Sequence, residues 1–356
     1  MVRIKDIARE AQVSEGTVDR VLHNRGGVSK KTEQRIRKIL EHRNYSINPV
    51  ASALAMKNKY KIAVLIPYFN ATDTFWKAPY LGVLKASEEV KNFGVNLSIY
   101  QFDQFDPKSY LKAFQRLIKD QPSALIFVPM FLKETSKMVP KLESLKIPYQ
   151  FLNIDVDGYN NLTYIGQDSY TAGNIAAKLM HLSTETNRFL IVLSRENRTD
   201  NNAISKRIKG FNDYFSSHNL NHKTFTLKVN GFNNPEELAK TINDFISNNT
   251  GITGIFIPSS KISSVANVLK NTSLYSLVGF DNTPKNVTCL QQGFISFLIS
   301  QKPFEQGYES VRIMTDFLAK AKTPKQKIYL PIDILIKENV AYNDMNQTLF
   351  EQEVSV

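Results

Sequence analysis

Ile4-Lys5-Asp6-Ile7-Ala8-Arg9-Glu10-Ala11-Gln12-Val13-Ser14, followed by Thr17-Val18-Asp19-Arg20-Val21-Leu22, decides the reading of the amino-terminal segment. Ile4, Ile7, Ala8 and Ala11 recur at i, i+3, i+4 and i+7, which makes one apolar helix face. Gln12-Val13 predicts a short turn, and Ser14 a cap for a second helix. That helix buries Val18, Val21 and Leu22 and turns Glu15, Gly16, Asp19 and Arg20 outward. A third helix begins near Ser29 and buries Ile36, Ile39 and Leu40. Two helices joined by a tight turn and braced by a third form a helix-turn-helix, whose second helix enters a DNA major groove N-terminus first.

The charge distribution agrees. Residues 1–61 carry 14 Lys or Arg against 6 Asp or Glu, a surplus of eight out of a net charge of +12 for 356 residues. A basic head on a nearly neutral body suits a polyanion, although a solvated surface accounts equally well for charge alone. The length calls for two or three domains. No apolar run reaches a membrane span, and the charged, amphipathic start does not read as a signal peptide, so a cytoplasmic location is expected. Cys289 is the one cysteine, leaving no intrachain disulfide and no CxxC metal site.

Beyond the head, Asn48 caps a short segment whose first helical position is Pro49. With so few turns this helix is marginal on its own.

From Lys61 onward, short β-rich apolar runs alternate with amphipathic helices. Strands are expected at Ile62–Ile66, Val95–Tyr100, Ala124–Val128 and Tyr149–Leu152. After Tyr170 the rhythm restarts, with strands near Phe189–Leu193, Thr224–Val229, Gly254–Ile257 and Ser276–Phe280. Such alternation implies parallel sheets with crossover helices. The expected fold class is α/β, two doubly wound parallel-sheet lobes preceded by an all-α helix-turn-helix domain. The expected boundaries are 1–46 for the head, 47–60 for a hinge helix and linker, 61–343 for the body and 344–356 for a polar tail. Within the body, 61–167 with 302–326 form one lobe and 168–300 with 327–343 the other. Ligands of such sheets sit beyond the carboxyl ends of the strands, so the cleft between the lobes is the expected site.

The head resembles the LacI/GalR family of bacterial transcription regulators over Ile4-Lys5-Asp6-Ile7-Ala8 through Val13-Ser14-x-x-Thr17-Val18-x-Arg20-Val21-Leu22. The resemblance implies base reading by Glu15, Gly16 and Arg20. Arg20 suits a bidentate pair with guanine and Glu15 an acceptance from cytosine. Gly16 has no side chain to read a base, and Asp19 stands where the family usually has a small hydroxyl residue. Arg3, Lys5, Thr17, Arg25, Ser29, Lys30 and Lys31 are candidate phosphate contacts, which fix register without reading sequence. The resemblance also implies a minor-groove hinge with Asn48, Ala51 and Leu54, Leu54 acting as the wedge that kinks the duplex. The plain alternatives are solvated side chains in the head and a linker-packed Leu54.

The body resembles type I periplasmic binding proteins of the ribose-binding kind. The matching runs are Asp73-Thr74-Phe75-Trp76, Ile165-Gly166-Gln167-Asp168 with Ala172-Gly173, Val278-Gly279-Phe280-Asp281, and Ile299-Ser300-Gln301-Lys302-Pro303 with Gln306-Gly307. The implied effector residues are Asp73, Phe75, Trp76, Asp155, Arg207, Phe232, Ser259, Asp281 and Gln301. Aromatic faces suit the C–H faces of a sugar ring, and the acids suit pairs of hydroxyls. The plain alternatives are core packing for the aromatics and capping for the acids. Val156 and Ser259 replace a more usual Arg and Asn, so the pocket has fewer polar clamps than a ribose site.

No GxxxxGK[ST], HExxH, GxSxG or GxGxxG sequence occurs, and the five histidines are scattered. No catalytic residue, metal site or cofactor is expected. The expected function is a homodimeric, sequence-specific DNA-binding regulator, taken as a repressor. It would read a pseudo-palindromic operator under control of a small effector, taken as a sugar. A solute-binding protein for transport and an architectural DNA protein with a vestigial sensor are the rival readings.

Overall fold

Capping and apolar spacing set the three head helices, α1 (Ile4–Glu10), α2 (Glu15–Leu22) and α3 (Lys30–His42). Ser14 Oγ accepts from the Thr17 amide at 3.1 Å, and Ser29 Oγ from the Thr32 amide at 3.3 Å. Ile7, Ala8, Ala11, Val18, Val21 and Ile36 make the core, with Ile39 and Leu40 packed on its edge. The computed structural model describes residues 4–22, 26–43, 60–70, 73–194, 202–230 and 232–343. Arg3, Arg25, the hinge residues Asn48, Ala51 and Leu54, and the 344–356 tail lie outside the described residues. The chain divides into two compact units, Met1–Lys57 and Asn58–Val356.

Among the described residues, the second unit holds two six-stranded sheets. The first contains β1 (Tyr60–Pro67), β2 (Val95–Phe102), β3 (Ala124–Phe127), β4 (Tyr149–Leu152), β5 (Tyr164–Gly166) and β11 (Lys327–Tyr329), in the spatial order β11-β5-β4-β3-β1-β2 and parallel throughout. The second contains β6 (Arg188–Ser194), β7 (Lys223–Val229), β8 (Gly254–Ile257), β9 (Ser276–Phe280), β10 (Phe297–Ser300) and β12 (Asp333–Leu335), in the order β12-β10-β9-β8-β6-β7. Among the described residues only its β10–β12 pair is antiparallel. The central strands are continuous apolar runs because helices cover both faces.

Each lobe clamps two of its helices through a pair of glycines. In the first lobe these are α4 (Lys77–Val90) and α12 (Pro303–Lys320), and in the second α7 (Ser169–Ser183) and α8 (Asn202–Ser217). A Cβ on Gly82 would fall 2.0 Å from the Phe304 carbonyl, and one on Gly307 2.1 Å from that of Pro79. The second lobe repeats the device, with Gly173 against the Arg207 carbonyl and Gly210 against the Tyr170 carbonyl, each 2.0 Å away.

One expected lobe boundary shifts. Lys327–Tyr329, assigned by sequence to the second lobe, pairs with Tyr164–Gly166 in the first sheet. The last interlobe crossing therefore follows Tyr329 and precedes Asp333. Among the described residues, no helix is long and apolar enough to cross a membrane.

Candidate functional site

Strand ends converge on a cavity of about 290 Å³ between the two sheets, close to the lower bound of about 300 Å³ for ligand pockets. Of the nine effector residues expected from sequence, Asp73, Phe75, Trp76, Arg207, Phe232, Ser259, Asp281 and Gln301 line it. Trp76, the one tryptophan of the chain, meets Phe75 edge-on with ring centroids 4.9 Å apart. Both rings are mostly covered by the first-lobe core, so they serve packing as well as the cavity.

Asp281 follows β9 with φ of 70°, a left-handed conformation uncommon for a residue with a side chain. Asn286 holds that turn. Its amide donates to the carbonyls of Ser260, Phe280 and Asp281, and its oxygen accepts from the Ser263 amide. Asp281 Oδ1 accepts from Gln301 Nε2 at 2.8 Å. Burial pushes the Asp281 carboxyl up to about 6, against the opposing pull of Arg207 and Gln301.

Arg207, projected from α8 beside the Gly173–Gly210 crossing, is 4% exposed. Its guanidinium stacks on Phe280 at 3.8 Å and donates to the Pro258 carbonyl at 2.9 Å. Arg207 Nε has no hydrogen-bond partner among the described residues. Burial lowers the guanidinium to about 10, with Asp281 and Tyr164 opposing. A desolvated cation beside an available carboxylate is a donor–acceptor pair fit for vicinal hydroxyls.

Asp155 does not line this cavity. Its carboxylate takes Lys327 at 2.7 Å and Lys206 at 3.1 Å, and both lysines also reach Asp157. Asp155 stands at a strand end, as expected, but cations carried by α8 and β11 claim its carboxylate. Lys206 lies on the second lobe, so this cluster ties the lobes together.

Several lining residues escaped the sequence reading. Asn153, at φ 67° after β4, donates to Gln301 Oε1 at 3.4 Å and Gln306 Oε1 at 3.0 Å. Gln104, after β2, donates to Asp73 Oδ2 at 2.5 Å and accepts from Trp76 Nε1 at 3.4 Å. Lys261, after β8, pairs with Asp73 at 3.0 Å. All three stand just beyond apolar runs, so the strand-end rule applied to every strand finds them. Gln167 instead bridges two interlobe crossings through the Ser300 carbonyl, and Asp168 caps α7.

On the head, Lys5, Glu15, Gly16, Arg20, Ser29, Lys30 and Lys31 are exposed. Thr17 is half-buried, its hydroxyl 2.8 Å from that of Ser14. Ser29 caps α3. Arg20 lies along the backbone of Gly27, where a Cβ would fall 2.6 Å from its Nη1.

Comparisons with known proteins agree with this architecture. Residues 3–48 match the model of the bacterial regulatory proteins of the lacI family, and residues 62–322 that of the periplasmic binding protein domain. The ribose operon repressor of Lactococcus lactis is 23% identical over 349 residues, covering 96% of this chain and 98% of that protein. A crystal structure described as a LacI transcriptional regulator from Bacteroides fragilis superposes with a TM-score of 0.71 at 27% identity, over 80% of this chain and 99% of that one. GanP, a glucose-galactose binding protein from Geobacillus stearothermophilus, shares the fold with a TM-score of 0.69 at 18% identity, over 79% and 99% of the two chains. The chain belongs to the LacI family of DNA-binding transcriptional regulators, with a helix-turn-helix head and a periplasmic-binding-protein body.

Proposed function

We propose that this regulator is a cytoplasmic homodimeric repressor whose operator affinity is set by a neutral sugar bound between its lobes. One observation carries the sugar reading. The cavity sets the Phe75 and Trp76 rings together with a buried Asp281–Gln301 pair and the Arg207 guanidinium. Ring faces take the apolar C–H face of a sugar, and the polar set takes its hydroxyls. The Lactococcus relative's name, a ribose operon repressor, supports the same class. In this reading the cavity binds and does not catalyse.

The head would read bases through Glu15 and Arg20, with Gly16 leaving its position unread. Lys5, Thr17, Ser29, Lys30 and Lys31 would hold phosphates. Two heads would take the halves of a pseudo-palindrome, with the Asn48–Leu54 hinge entering the minor groove between them. Sugar binding would shift the lobes and so bias the hinge, a coupling between two sites through a bistable element.

Titration calorimetry of the full chain with D-ribose, D-glucose and D-galactose, followed by operator binding with and without the sugar that binds, tests this reading. Absence of binding by all three, with operator affinity indifferent to them, would falsify it.

A further inference from the structure

The cavity has a second, outer wall that the sugar reading leaves unused. Tyr68, after β1, and Phe105, after β2, line it while remaining 42% and 51% exposed. Half-bare aromatic rings at the edge of a buried polar site are apolar surface awaiting cover.

Both rings line the cavity beside Asp103, whose carboxylate holds the loop that carries Phe105. Asp103 Oδ1 accepts from the Phe105 amide at 2.9 Å, and the Asp103 amide donates to Ser109 Oγ at 2.9 Å. The Tyr68 amide donates to the Phe102 carbonyl at 2.8 Å, which sets Tyr68 beside this loop, and partial burial, then the Asp103 charge, hold its phenol above the ordinary value. The next residue, Gln104, fastens the same loop to Asp73 and to Trp76 of the inner site. The segment 103–105 therefore builds both walls at once, Gln104 on the inner one and Phe105 on the outer.

The geometry points to an outer subsite formed by Tyr68 and Phe105 that takes the second unit of a glycoside whose first ring lies against Asp281 and Arg207. This inference rests on the sugar reading of the inner cavity. The second unit presents a flat apolar face, as an aryl group or another pyranose ring does, and has no charge requirement of its own. Stacking a ring on one or two aromatic faces corresponds to about a tenfold gain in affinity.

The test is calorimetry of the full chain with D-glucose, D-galactose and D-ribose, each as the free sugar and as its phenyl glycoside, with cellobiose and lactose as the two-ring arms. The expected result is one sugar whose phenyl glycoside or disaccharide binds about tenfold tighter than the free sugar. In the double variant Tyr68→Ala, Phe105→Ala that ratio falls to about one, with thermal unfolding reporting that the variant is folded. The milder pair Tyr68→Leu, Phe105→Leu keeps bulk but no ring, and lowers the ratio as well. Equal binding of the free sugar and its extended forms overturns the outer subsite and leaves the sugar reading standing. Binding by no sugar, simple or extended, overturns both.

Discussion

Asp73 Oδ2 and Lys261 Nζ lie 3.0 Å apart across the cleft, joining the loop after β1 in one lobe to the loop after β8 in the other. The Asp155–Asp157 pair, bound to Lys206 of α8, makes a second tie between the same lobes. Closure is therefore held in part by charges that the sequence places almost 190 residues apart in the first tie and 51 in the second. Both ties are partly exposed, so each is worth about 1 kcal/mol or less and weakens with salt.

Trp76 reports on this closure, because it is the chain's only tryptophan and lines the cavity. Raising NaCl from low to molar concentration is expected to shift its emission as the ties are screened. Lys261→Met, which keeps the side-chain stem, is expected to reduce that shift. An unchanged salt response in the variant would show that the pair does not hold the lobes.

The Asp281 carboxyl gives a second prediction. Its value in the folded protein is raised to about 6, above the ordinary 3.8. Its protonated form is the one folding favours, so this contribution is full below about pH 4 and is lost as pH rises through about 6, on the order of 3 kcal/mol. Effector hydroxyls donate to the ionised form, so affinity moves the opposite way and rises between about pH 5 and 7. Asp281→Asn is expected to flatten both profiles, measured as unfolding midpoint and as dissociation constant against pH. Asp155→Asn, removed from the cavity, is expected to leave the binding profile in place.

Glycines at two kinds of position are expected to respond with opposite sign. Gly173→Ala puts a Cβ 2.0 Å from the Arg207 carbonyl, and Gly210→Ala does the same to Tyr170. Each forces α7 and α8 apart and costs about 3 kcal/mol. Gly16→Ala, exposed on α2 with only Ser14 Oγ at 3.8 Å, is expected to stabilise the head by about 0.5–1 kcal/mol. Chemical denaturation curves of the three variants check the signs.

On the head, Arg20→Ala is expected to cost about 1–3 kcal/mol on the preferred operator and to relax one base position, whereas Lys30→Ala weakens all duplexes alike. Selection from random duplexes followed by titration separates the two. Equal losses for Arg20→Ala on selected and random DNA would show that it does not read a base.

Much of the architecture was legible because each local signal agreed with its neighbours. Ser14 caps where its position said it would, the third helix starts beside Ser29, and the strand runs from Ile62 to Phe280 lie within a few residues of their expected bounds. The three-residue strands β5, β11 and β12 were not legible as strands, since three residues hold no period and their pairing is made by the sheet. For that reason Lys327–Tyr329 was assigned to the wrong lobe.

Periodicity, capping and strand–turn alternation are local, and they determined the helical head, the two-sheet body and the strand-end location of the cavity. Tertiary structure alone decided how the charges were shared out. Asp281 stays beside Gln301 in the cavity, while Asp155 is taken up by Lys206 and Lys327. It also decided that Gly173 and Gly210 serve a helix crossing. The physical reason is one of range. A helix face or a cap involves residues three or four apart, whereas a buried carboxylate's partner is whatever cation the fold carries to it, and here that came from 51 and 172 residues away.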